Sequence, residues 1–242
     1  MKQTLKTLIR NFKSIKGNSL AEFATTTALM ATLAATAAPK LSEMSEGAKA
    51  EKSRNEIDKM IKQAGQFYQD KAATAPEGEG RGRFPGQSKF NESVGHGLAA
   101  YSNSGATSTQ NTASHTASDA HRLAIETDLG TVEGEDGWRQ YNDTPTAVWV
   151  SVFGTTNADN PMPSGSTQNG VPTAAVKIHD NESGSGEWKE LFGDEVMGST
   201  FQDGHYVYSV VAGGGSGNKV YPPVLYVGDI ENMTDFNNVL EP

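Results

Sequence analysis

The chain has 242 residues, 20 Lys and Arg against 29 Asp and Glu for a formal charge of -9, and no cysteine. Its length provides for one sizeable core in one or two domains. The acidic balance argues against a nucleic-acid partner, since such binding rests on basic side chains neutralising phosphates. The lack of cysteine excludes a disulfide framework and zinc–thiolate chemistry.

Basic charge is concentrated at the start. Lys2, Lys6, Arg10, Lys13 and Lys16 stand in residues 1–17 with no acidic residue among them, the charge of a targeting leader. Residues 18–40 follow as an apolar helix. From Leu20 to Ala38 the only charge is Glu22, and at about 1.5 Å per residue such a stretch just crosses a hydrocarbon core. It is rich in Ala and Thr, and Ala24, Ala28, Thr32 and Thr36 recur at every fourth residue, a small-residue stripe suited to close helix neighbours. The threonine hydroxyls are expected to bond back to their own helix. Pro39 lacks an N–H and clashes with the carbonyl four residues earlier, so it is expected to kink or loosen the helix; its plainer reading is a residue that merely ends the apolar run.

Residues 41–73 carry Leu41, Met44, Ala48, Ile57, Met60, Ile61, Ala64, Phe67 and Tyr68 at helical spacing between charges, which predicts an amphipathic helix ending near Ala73. The remainder, 74–242, reads as a globular β-rich domain. It opens on the breaker-rich PEGEGRGRFPG, and Tyr101 to Ser118 is a polar Ser/Thr/Asn tract, expected to be an exposed loop, with a glycan-bearing or adhesive surface as the alternative. Strand-like runs rich in Val, Tyr and Trp follow at Val148 to Phe153, Ala174 to His179, His205 to Val211 and Val220 to Val227. Gly213 to Asn218 (GGGSGN) reads as a hairpin loop between the last two, and Pro222 with Pro223 places the following segment at a sheet edge. The expected fold class is α+β: a long N-terminal helix, apolar then amphipathic, packed on a small C-terminal antiparallel sheet.

Around Gly17 the segment K-G-N-S-L-A-E-F, Lys16 to Phe23, resembles the prepilin processing site of type IV pilins and type II secretion pseudopilins. With Asn18 counted as the first mature residue, Glu22 becomes the fifth and Pro39 the twenty-second, matching the family's glutamate and helix-kinking proline. The resemblance covers Gly17 to about Tyr68, and QFYQD followed by RFP is loosely similar to the helix end and Y-P turn of pseudopilins. The chain departs from the pattern in having Asn18 where Phe is usual and in an apolar segment poorer in Ile, Val and Leu. The E-F-A run also resembles minor pilins of tight-adherence systems.

The resemblance implies cleavage between Gly17 and Asn18 by a prepilin peptidase and methylation of the new N-terminus. It also implies a single-pass precursor in the bacterial inner membrane, an assembly platform there, and a homo-oligomeric helical filament in the periplasm or at the surface. The physics points the same way. A carboxylate inside a spanning helix costs about 2.5 to 3.5 kcal/mol on insertion scales, so Glu22 needs a partner. The ammonium freed at Asn18 of a neighbouring subunit supplies one, and the basic leader stays cytoplasmic before the cut.

The main alternative is an ordinary secretory signal peptide. Ala35-Thr36-Ala37 fits an A-x-A site, which would release a soluble surface or ligand-binding protein starting near Ala38; Glu22 within the apolar region and the long basic segment count against it. No enzyme is expected. His96, His115, His121, His179 and His205 are scattered, and no H-E-x-x-H, G-x-S-x-G or Walker loop is present. No cofactor is expected either, except that the acid-rich loops Asp194 to Asp203 and Asp229 to Asp235 offer carboxylates for calcium, as in some pseudopilins. Such loops without EF-hand spacing are usually just solvated.

Overall fold

The computed structural model describes residues 2–73, 79–95, 121–126, 129, 149–154, 167–168, 171–172, 182–201, 204–216, 219–230 and 233–242, and for 2–18, 167–168, 171–172, 182, 216 and 219 the backbone alone. The polar tract at 101–118 and the expected strand at 174–179 lie outside these residues. Helix α1 runs Lys2–Ala72, ending where the apolar periodicity ends. Two compact units divide the chain, Met1–Ala48 and Lys49–Pro242.

In the second unit the elements after α1 are β1 (Val150–Ser151), β2 (Thr167–Gln168), β3 (Val171–Pro172), α2 (Glu182–Leu191), β4 (Tyr206–Val211), β5 (Gly214–Ser216), β6 (Lys219–Tyr221), β7 (Val224–Asp229) and β8 (Asn237–Leu240). Four of the strands form an antiparallel sheet in the order β1-β4-β7-β8; β2 with β3 and β5 with β6 make separate two-stranded ribbons. The layout is α+β, as the sequence pattern predicts.

Side chains of β4 and β7 alternate between two cores, as the period of two along a strand requires. Tyr206, Tyr208, Val210, Leu225 and Val227 face a core that also holds Ile57, Met60 and Ala64 of α1 and Trp188 of α2. Val207, Val211, Val224 and Tyr226 face the other way, onto Ile125, Trp149, Ile230 and Met233. Both faces of the central strands are therefore buried, which is why these runs read as continuously apolar rather than alternating.

Two expectations need correction. The segment after Pro222 and Pro223 is not at a sheet edge: β7 lies between β4 and β8. The prolines precede Val224, the first residue paired with β4, so neither removes a ladder N–H. They instead break the expected strand 220–227 into β6 and β7. The chain leaves β4 at Gly213, where an added Cβ would stand 2.8 Å from Pro223 N and Tyr221 O, a clash of backbone that only glycine avoids. The GGGSGN run is thus partly a strand, β5 paired with β6.

A polar layer joins α1 to the sheet near the start of the second unit. Ser53 and Glu56 are buried on the same face as Ile57 and Met60. Thr200 Oγ1 lies 2.7 Å from Ser53 Oγ and donates to the Lys49 carbonyl at 3.2 Å. The Tyr206 hydroxyl donates to the Glu56 carboxylate, Lys52 lies 3.6 Å from Glu56, and Asn238 Nδ2 donates to Asp58 at 2.8 Å. Burial, then the bond to Glu56 and its charge, push the Tyr206 hydroxyl well above the ordinary tyrosine range.

That shift has a sign. A raised tyrosine pKa stabilises the fold below about pH 10, where the unfolded phenol is neutral, and the contribution is lost as pH rises further. Tyr206→Phe is expected to cost about 1 to 3 kcal/mol at pH 7 by depriving a buried carboxylate of its donor. The gap to wild type should narrow as pH climbs past 10. Urea midpoints at pH 7 and pH 10.5 test this, and a gap that stayed constant would refute the coupling.

Candidate assembly helix

The residues singled out in the sequence for processing, assembly and the helix kink all lie on α1. Gly17 and Asn18 fall within its helical backbone. Glu22 is exposed, and among the described residues no side chain forms an ion pair with it. Pro39 lies inside the helix, which runs through it to Ala72. Without its N–H the bond back to the Ala35 carbonyl is missing, a local weakness in an otherwise unbroken ladder.

From Ser19 on, α1 carries a stretch long and apolar enough to cross a membrane, and none of that stretch is buried. Its large side chains stand open, Phe23 at 72 % and Met30 at 72 % of full exposure, with Leu20, Leu41 and Met44 beside them. The high threonine content does not contradict this apolar character. Thr26 Oγ1 donates to the Glu22 carbonyl at 2.9 Å, Thr27 to Phe23 at 2.7 Å, Thr32 to Leu29 at 2.9 Å and Thr36 to Thr32 at 3.0 Å, and Thr25 bonds to Ala21 in the same manner. Each hydroxyl is satisfied within the helix, which is the condition for placing it in an environment without water. The segment behaves as more apolar than its composition suggests.

At the far end of α1 the two short motifs QFYQD and RFP meet. Tyr68 and Phe84 pack with ring centroids 5.3 Å apart, and the Arg83 guanidinium sits 5.1 Å from the Phe67 ring centroid. Arg83 also pairs with Glu79 at 3.0 Å and with Glu187 of α2 at 2.8 Å, while the Gly86 N–H donates to Glu187 at 2.7 Å. The segment after the helix is thereby fastened to α1 and α2 together.

The structure also gathers residues that no motif announced. Ser151 Oγ lies 2.6 Å from His205 Nε2, and the Asp229 carboxylate accepts the His205 backbone N–H at 3.2 Å. All three are 0 % exposed, so the group presents no face to a substrate and ties β1, β4 and β7 together instead. His121 is likewise buried, 2.9 Å from Ser209 Oγ; His96, His115 and His179 lie outside the described residues. The two acid-rich loops meet where Ser199 donates to Asp229. Among the described residues no three acidic or histidine side chains are grouped to hold a metal ion.

Neither a family model, nor a curated protein, nor a solved structure matches the chain.

Proposed function

We infer that the chain is a structural subunit, a pilin or pseudopilin, cut after Gly17 by a prepilin peptidase and built into a helical filament through α1. The observation that carries this reading is the exposed apolar helix of the first unit. The second unit closes its own cores with residues from Ile57 onward, so the folded domain has no use for Leu20 to Met44. A wholly exposed apolar helix requires a membrane or other helices to cover it, and a subunit that passes from a bilayer into a filament meets both in turn. The precursor is then a single-pass inner-membrane protein held by its basic leader, with an assembly platform as partner and the sheet domain facing outward in a type IV pilus-like, type II secretion or tight-adherence filament. Glu22 and the freed Asn18 ammonium supply the subunit contact.

Intact mass of the protein from its native host is the test. The filament reading expects a mature chain starting at Asn18, with one added methyl. A start near Ala38 would mark the helix as a signal peptide, leave a soluble binding protein, and end this reading.

A further inference from the structure

Among the described residues β8 ends the sheet, with β7 on one side and no strand on the other. Such an edge is a template on which another chain can add a strand. The register decides which groups it offers. The Asp229 N–H donates to the Phe236 carbonyl at 2.9 Å, and Val227 and Leu225 stand against Asn238 and Leu240. Bonded pairs alternate in an antiparallel ladder, so Asn238 and Leu240 turn their backbone groups to β7, while Asn237 and Val239 turn theirs to the free side. Val239 is 37 % exposed, yet its N–H is taken: it donates to Asn238 Oδ1 at 2.8 Å. The other end of the same amide, Nδ2, donates to Asp58 of α1 at 2.8 Å.

We propose that Asp58 holds Asn238 as a plug over the free edge of β8, so that α1 keeps the sheet from adding a strand from a second copy of the chain. Asp58 decides which way round the amide lies, because a carboxylate accepts and does not donate. With the amide nitrogen committed to Asp58, the oxygen is left to face the Val239 N–H. The reversed amide would set oxygen against carboxylate and N–H against N–H. Stability alone does not call for these bonds: Asp58 is exposed and Asn238 half-buried, and water satisfies such groups nearly as well. What the pair fixes is position. The donor that an incoming strand needs at Val239 is occupied from within the chain, and β8 of a second copy, whose own edge is free, is the strand it keeps out. The plug is built from contacts inside the second unit and does not depend on the filament reading.

Full-length chains carrying Asp58→Ala, Asp58→Asn or Asn238→Ala, purified in detergent micelles, test this with two measurements. In the first, amide hydrogen exchange is resolved along β8. Asp58→Ala and Asn238→Ala should speed exchange at Val239 about fivefold, the worth of one hydrogen bond, while the Asn238 and Leu240 amides bonded to β7 keep their wild-type rates. Asp58→Asn should exchange as the wild type does, because its amide carbonyl still accepts from Asn238. In the second, a fluorescent peptide with the sequence of residues 236–242 is titrated by anisotropy. It should bind both alanine variants at least about fivefold more tightly than the wild type or Asp58→Asn. An unchanged Val239 rate would overturn the proposal, as would a rise shared equally by Asn238 and Leu240, which marks a fraying strand rather than a lost plug. Equal peptide binding by all four chains, or Asp58→Asn behaving as Asp58→Ala, would overturn it too.

Discussion

A chain starting at Lys49 is expected to leave the membrane fraction completely and run as a monomer in size-exclusion chromatography, while the full chain requires detergent. The cut coincides with the boundary between the two compact units. It removes every apolar side chain of the exposed stretch, including Leu41 and Met44, which a cut at residue 40 would leave open to water at 65 % and 71 %. It keeps Ile57, Met60 and Ala64, the residues with which α1 completes the first core, and the Ser53 and Glu56 contacts to Thr200 and Tyr206. Far-ultraviolet circular dichroism should show the fold retained with less helix. Oligomers of the shortened chain, or its failure to fold, would mean that residues before Lys49 support the domain.

Glu22→Ala is expected to yield a protein that is processed and held in the membrane but enters filaments poorly. The side chain is exposed, and its local bond is made by the backbone carbonyl, which accepts from Thr26. Alanine, the best helix former, therefore leaves the helix intact. In the proposed assembly it removes the charge-assisted bond to a neighbour's terminal ammonium, enough to weaken each subunit addition at least about tenfold. Glu22→Gln should behave alike, because an amide keeps the shape and loses the charge. A Gly17 variant should fail earlier and accumulate as uncut precursor. Sheared filaments and membrane fractions, probed side by side from the native host, separate the two. Wild-type filament levels with Glu22→Ala would disprove the pairing.

The long helix was legible because its two signals are local: an apolar run with one carboxylate, then apolar residues at helical spacing through Tyr68. β4 and β7 were legible as apolar runs. Helix α2 was not. Its sequence ESGSGEWKEL contains two glycines and two serines and reads as a loop, yet it packs Trp188 into the core. Gly184 is required there by tertiary contact, since a Cβ at that position would stand 2.0 Å from the Tyr208 hydroxyl. Nothing in the local sequence discloses that approach. The place of β7 in the sheet was misread for a related reason: two prolines predict an edge only if they fall within the paired stretch, and these fall just before it. The meeting of Ser151, His205 and Asp229 depends on strand register alone, which spacing in sequence does not encode. Of the candidate site, Glu22 and Pro39 were identifiable by position, while the self-satisfied hydroxyls that let a threonine-rich helix behave as apolar required side-chain geometry.

The polar layer between α1 and the sheet domain has a mechanical consequence. An apolar helix face alone can slide by a turn, exchanging one set of contacts for a similar set at small cost. Here an axial pull on α1 loads the links from Lys49 and Ser53 to Thr200, from Glu56 to Tyr206 and from Asp58 to Asn238 at the same moment. Bonds loaded together in shear share the force, whereas bonds opened one after another do not. Tension reaching residue 49 along the helix therefore passes into the sheet through several directional links at once, and the helix keeps its register under load.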